Sequence, residues 1–224
     1  MGLLSLVLPL RCAVCERPGD ALCGVCLTTL VPVGPTGCAR CGAPGPWPIG
    51  RCAECAGRRL AFDSARAAFL YRGAATVLVR SWKEQGRRDL ATPLASLVAR
   101  EVVRPEVDAL TFVPGQRDRA RARGHVPARG LAEALAPLWG IPWAPLLERV
   151  PDGHRARQVE LARRERTRGA RRLYAPSLEA PARVCLVDDV YTTGATADAC
   201  AAALRQAGAS SVCVVTLARA VRLA

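Results

Sequence analysis

The sequence predicts an α/β domain built on a mainly parallel sheet, preceded by a small cysteine-rich module. Three observations carry this reading. Short apolar segments at 110–113, 184–188 and 212–217 alternate with helical patterns. Eight cysteines fall in C-x2-C pairs before residue 56, and an acidic pair followed by a threonine–glycine loop separates an apolar strand from an alanine-rich helix. Strands that alternate with helices are joined by crossovers, and crossovers give parallel neighbours.

The cysteine pairs come first along the chain: Cys12/Cys15, Cys23/Cys26, Cys38/Cys41 and Cys52/Cys55. Two residues between cysteines let a tight turn aim both thiolates at one ion, and two such turns complete a tetrahedral shell. Disulfides and redox pairs are the rival readings. A chain without a basic, cleavable leader is expected in the cytoplasm, where disulfides are rare, and four redox pairs without a strand–helix–strand context would be unusual. Two structural Zn2+ ions are therefore expected. Pairing in sequence order gives Cys12, Cys15, Cys23, Cys26 and Cys38, Cys41, Cys52, Cys55; spacing also allows an interleaved pairing. The stretch is rich in Pro, Gly and Cys and poor in core residues, so metal supplies most of its folding free energy. We place this module at 1–57 and the α/β domain at 58–224. Cys185, Cys200 and Cys213 lie in apolar patterns and read as packing residues.

In 224 residues, half of them hydrophobic, there is room for one medium domain and a small appendage. The net charge of +13 is carried almost wholly by arginine, Lys83 being the one lysine. Such an excess suits anionic partners, although codon bias toward arginine explains the choice of Arg over Lys. No apolar run reaches the ~18 residues of a membrane span.

Beyond the cysteines, 62–71 reads as extended chain, with helices at 74–85 and 90–103 and a strand at 110–113. The arginine-dense loop 116–130, a helix at 131–138 and a strand at 141–147 follow. Next come a second arginine-dense stretch at 152–172, a strand at 184–188, a helix at 197–207 and a strand at 212–217.

The segment 183–196 carries the chemistry. Its apolar strand runs into Asp188 and Asp189, and the loop Thr192, Thr193, Gly194, Ala195, Thr196 opens into a helix. Backbone N–H groups at a helix start, with hydroxyls beside them, make a nest for phosphate. Gly194 permits close approach of the backbone. Two carboxylates at the carboxyl end of a strand can accept hydrogen bonds from vicinal ribose hydroxyls. No G-K-[ST] follows, which excludes a Walker-type loop.

Residues 186–196 resemble the phosphoribosyl pyrophosphate (PRPP) motif of type I phosphoribosyltransferases. With paired zinc knuckles ahead of it, a Tyr71-Arg72-Gly73 segment leading to Trp82-Lys83, and an arginine loop, the chain resembles the ComF family along nearly its full length. The family's R-x-R-G-F-N-Q is here Arg121-Ala122-Arg123-Gly124-His125-Val126-Pro127, and of a later pattern Gln158, Leu161 and Arg166 match while Gly169 replaces Asn. The resemblance implies that Asp188 and Asp189 hold the ribose and act at the anomeric carbon, and that Thr192–Thr196 hold the 5-phosphate. Mg2+ would ride on the pyrophosphate. It also implies DNA uptake in natural competence, with single-stranded DNA and a DNA-uptake helicase as partners. The alternatives are an active phosphoribosyltransferase in purine or nucleotide salvage, or a PRPP sensor that signals through its ribbons. Arg117, Arg119, Arg121 and Arg123 are candidates for the pyrophosphate or DNA phosphates, because 117–172 holds 14 Arg against 6 acidic residues. Loops after parallel strands gather at one edge, so this loop should face the acidic pair.

Overall fold

In the computed structural model, residues 10–115, 124–150 and 173–221 are described. Their elements are α1 (Gly24–Thr28), β1 (Ser64–Leu70), α2 (Ala74–Glu84), α3 (Ala91–Glu101), β2 (Ala109–Phe112), α4 (Pro127–Trp139), β3 (Leu147–Arg149), β4 (Tyr174–Pro176), β5 (Arg183–Tyr191), α5 (Ala195–Gln206) and β6 (Ser211–Arg219). Short 3-10 turns occur at Ala53–Cys55 and Arg88–Leu90.

Four strands form one sheet in the order β1-β6-β5-β2, and every neighbouring pair is parallel. Phe112 lies opposite Val187, and Val187 opposite Val215, so the carboxyl ends of β2 and β5 open on one edge. Parallel sheets must be covered on both faces, and two apolar clusters do this. On one face Leu78 and Trp82 of α2, Leu94 and Val98 of α3, and Leu131 and Leu135 of α4 pack on Val187, Val215 and Leu217. On the other, Ala197, Cys200, Ala201 and Leu204 of α5 pack on Val184, Leu186, Val212 and Val214. Small residues let α5 lie close to the sheet, and the fully buried Leu204 alone contributes roughly 1.5–3 kcal/mol.

Both cysteine-rich segments belong to these layers. Ala13 and Leu30 join the α2 face, whereas Cys38, Cys41 and Cys55 join the α5 face. They also close the outer edge of β1. Leu70 N–H donates to the Val31 carbonyl at 2.8 Å, Val33 N–H to Ala68 at 3.0 Å, and Ala65 N–H to Arg40 at 2.9 Å. An uncovered edge strand would offer its backbone groups to another chain.

The opposite edge shows one departure from the sequence reading. Of residues 141–147 only Leu147 is in a strand: Trp143 makes a single parallel bridge to Leu110, flanked by bonds from Leu110 N–H to Pro142 O and from Ala144 N–H to Leu110 O. Pro142 and Pro145 have no N–H to extend the ladder. The strand starts only at Leu147, antiparallel to β4. Two further elements run longer than their patterns. α4 begins at Pro127, where a missing N–H costs nothing at the first helical position. β5 continues through the acidic pair to Tyr191, since Asp188, Val190 and Tyr191 are still paired with β6. Cys185 and Cys200 are fully buried, as expected, and Cys213 is partly so.

Gly42 sets the seat of the second cysteine-rich segment on β1. Its φ is +68°, and a Cβ there would stand 2.5 Å from the Ala65 carbonyl oxygen. Gly42→Ala should lower global stability by about 1–3 kcal/mol in urea unfolding. Gly24→Ala, where a Cβ meets open space, is the control. Equal unfolding midpoints for the two variants would contradict this seating.

Candidate functional site

The eight early cysteines gather into two tetrads in sequence order, which removes the interleaved alternative. Cys12, Cys15, Cys23 and Cys26 form one, and Cys38, Cys41, Cys52 and Cys55 the other, with the sulfurs of each within 4.8 Å of one another. A zinc tetrathiolate with Zn–S near ~2.3 Å has sulfurs ~3.8 Å apart. Cys15 and Cys23 Sγ lie 3.7 Å apart, and Cys41 and Cys52 Sγ 3.5 Å. None of the eleven cysteines is in a disulfide. The donor sets therefore fit two structural zinc ions, with no position left open for catalysis. Backbone N–H groups of Cys41 and Cys52 point at Cys38 Sγ at 3.5 and 3.3 Å. Burial opposes ionisation of Cys38, yet these N–H groups bring its pKa down to about 6; Cys12 also falls to about 6, through Cys23 and Cys15. Cys26 is driven the other way, to about 12, by burial and its neighbouring sulfurs.

At the carboxyl edge of the sheet lies a cleft of about 330 Å³. Asp188, Asp189, Thr192 and Thr196 line it from β5 and the start of α5, and Val113, Pro114 and Gly115 from the end of β2. Lys83, Arg149 and Tyr174 complete the wall with 125–128. Asp189 is buried and meets Lys83 Nζ at 2.7 Å; its N–H donates to the Asp188 carboxylate at 2.9 Å. Burial, and then the charge of Asp189, hold the Asp188 carboxyl well above the usual carboxylate range. Tyr174 is pushed up to about 12, chiefly by burial, and the Arg149 guanidinium lies 5.8 Å from its ring centroid.

The rest of the loop is placed differently from Thr192 and Thr196. Thr193 accepts a bond from Arg58 on its carbonyl at 2.7 Å, and its hydroxyl accepts from Ala195 N–H at 3.4 Å. Gly194 has φ +74°, and a Cβ there would collide with the Tyr191 hydroxyl. Glycine is thus required by Tyr191 and the backbone, a reason distinct from the anion approach expected of it. Arg117, Arg119, Arg121 and Arg123, like 158–169, lie outside the described residues. The positions that flank that arginine segment, Gly115 and His125, both line the cleft. His125, Val126 and Pro127, where the family pattern is lost, form part of the wall, with His125 Nε2 3.1 Å from the Trp82 carbonyl.

The sequence reading assigned no place in the cleft to Lys83, Arg149 or Tyr174. Lys83 had a signal, as the one lysine beside a tryptophan in a family-like segment. Arg149 had none among so many arginines, and Tyr174 reaches the cleft only through the β3–β4 pairing.

A parallel sheet with an acidic pair and a threonine loop at its carboxyl edge, behind two cysteine tetrads, is the arrangement that the resemblance to type I phosphoribosyltransferases led us to expect. Residues 3–57 match the family described as the double zinc ribbon domain. The chain is 29% identical over 229 residues to the DNA utilization protein YhgH of Salmonella typhi, covering 96% of this chain and 99% of that one. It is 28% identical over 210 residues to the competence protein ComFC of Streptococcus pneumoniae, covering 91% and 83%. Both similarities run along more than nine-tenths of this chain and agree with the resemblance to the ComF family carried by its motifs. Among solved structures, a glutamine PRPP amidotransferase from B. subtilis, complexed with ADP and GMP, aligns with a TM-score of 0.41 and 24% identity. That alignment spans 58% of this chain and 26% of the amidotransferase, and the fold assignment rests on the strand order instead. Among the described residues no helix is long and apolar enough to cross a membrane.

A carboxyl whose folded pKa exceeds its unfolded value favours the fold when protonated, so stability falls as pH rises through the folded value. Asp188→Asn removes that cost. Its urea midpoint should exceed the parent's at neutral pH, and the gap should close as pH drops below the raised pKa of Asp188. A gap that stays constant into the acid range would contradict the electrostatic assignment.

Proposed function

We propose that the cleft binds PRPP or a related phosphoribosyl ligand, and that the protein serves DNA uptake or handling in natural competence. The observation that carries the first half is the convergence of Asp188, Asp189, Thr192 and Thr196 on one cleft that Lys83 and Arg149 also line. Carboxylates accept from ribose hydroxyls, and the threonine hydroxyls and α5 N-terminus receive the 5-phosphate. Lys83 and Arg149 supply positive charge for the pyrophosphate, together with Mg2+ held on ligand oxygens. The names of the competence and DNA utilization relatives support the second half, as does the arginine excess. Four thiolate pairs that must stay reduced to hold metal suit a cytoplasmic protein.

A second reading, phosphoribosyl transfer in nucleotide salvage, is favoured by the enclosure of the acidic pair. Charge developing at the anomeric carbon as pyrophosphate leaves would be stabilised by carboxylates beside the sugar. Pyrophosphate release from PRPP in the presence of candidate bases separates transfer from binding alone.

Calorimetric titration of the zinc-loaded protein with PRPP and Mg2+ tests the cleft. Asp188→Ala and Asp189→Ala should each weaken binding about 10- to 100-fold, the worth of one or two hydrogen bonds to a charged group. Parent-like affinity in both variants would remove the assignment.

Binding of a fluorescent single-stranded oligonucleotide tests the DNA half. Affinity should fall steeply with salt, and the double change Arg121→Ala with Arg123→Ala should reduce the log–log slope by about one unit for each phosphate that is no longer neutralised. No binding at low salt would leave the arginines as solvated charge.

A further inference from the structure

Arg219 ends β6 and lies directly opposite Tyr191 in the register of β5 and β6. At 1% exposure it is among the most buried large side chains among the described residues. Its guanidinium donates to the Cys41 carbonyl, reaches Cys41 Sγ at 3.4 Å and pairs with Glu54 Oε2 at 2.8 Å. The same guanidinium lies 4.5 Å from the centroid of the Tyr191 ring. Tyr191 in turn places its hydroxyl against Gly194, in the space a side chain there would need. One continuous line of contacts therefore runs from the second cysteine tetrad, through Arg219 and Tyr191, to the turn that opens α5.

A second connection is independent of the first. Arg58, three residues beyond Cys55, donates to the Thr193 carbonyl at 2.7 Å. The tetrad is thus connected to the loop twice, from Cys41 through Arg219 and Tyr191 and from beyond Cys55 through Arg58.

The electrostatics favour a metal-dependent grip. A buried guanidinium is strongly unfavourable unless paired, and Glu54 supplies part of that compensation. A zinc ion held by four thiolates leaves the cluster net negative, and one of those thiolate sulfurs is in contact with Arg219. Zinc loading and the observed position of Arg219 therefore favour each other.

From these contacts we infer that the second zinc ribbon positions the phosphate loop, with Arg219 as the positioning residue, so that zinc binding at Cys38, Cys41, Cys52 and Cys55 is coupled to ligand binding at 191–196. This rests on the reading that the cleft takes a phosphoribosyl ligand. Coupling free energies are reciprocal: a zinc site that holds the loop ready for ligand is itself held more tightly once the ligand is bound.

The experiment follows zinc release from the full chain into a chelating dye, with and without PRPP and Mg2+. The phase that belongs to the second site is identified by its absence from a Cys52→Ser variant. PRPP should slow that phase at least fivefold, within the usual range of such couplings, and leave the first-site phase unchanged. Arg219→Met should abolish the slowing and weaken PRPP binding by a similar factor. Arg58→Met, at a half-exposed position that spares the buried network, should reduce both effects in part. Slowing of both phases alike, or of neither while PRPP binds, would overturn the coupling and leave the phosphoribosyl reading intact. No PRPP binding by the zinc-loaded parent would overturn both.

Discussion

A four-stranded parallel sheet needs cover on two faces and two edges, and this chain meets that need differently on its two sides. The helical layer on one side is ordinary. On the other, half of α5 is alanine, and the remaining cover comes from the second cysteine-rich segment and the β3–β4 pair. The outer edge of β1 is closed by residues 31–33 and 40. Metal binding thus enters the stability of the whole sheet. Four thiolates around zinc replace the apolar mass that a longer chain would place there.

That arrangement also determines where the sheet stays open. With both faces and both edges occupied, the carboxyl ends of β2 and β5 are the part of the sheet left open, and the acidic pair stands there. Strand geometry sends successive side chains to opposite sides. Asp189 therefore meets Lys83 from the helical layer, while Asp188 is felt electrically by Tyr174 and Cys200 on the other side. Burying Asp188 beside a second carboxylate is unfavourable without ligand. Donor hydroxyls from the proposed sugar ligand, or a cation carried in with it, would relieve that strain, and carboxyls perturbed in this way cluster at functional sites.

Much of this was legible in the sequence, for identifiable reasons. C-x2-C spacing reports a local turn, so the four pairs could be read as metal knuckles, although only the fold shows which pairs meet. The order strand, Asp188-Asp189, threonine–glycine loop and helix is also local, and it located the cleft. The limits of β5 were not legible because an acidic pair usually ends a strand, and nothing local reveals that β6 continues alongside as far as Arg219. The segment 141–147 is apolar enough for a strand, but Pro142 and Pro145 weigh more heavily against a ladder than its apolar pattern weighs for one. Lys83, Arg149, Tyr174, Arg58 and Arg219 act across long sequence separations. One arginine among many carries no mark of burial against a zinc ligand.

Hydrogen exchange on the zinc-loaded and zinc-stripped chain tests most directly whether ribbons and sheet form one unit. Stripping zinc should raise exchange at Ala65 and Leu70 on the covered edge of β1 and at 192–196, in step with the ribbons themselves. Loss of protection confined to the cysteine-rich residues, with the β1 edge and the loop after β5 still protected, would contradict the account.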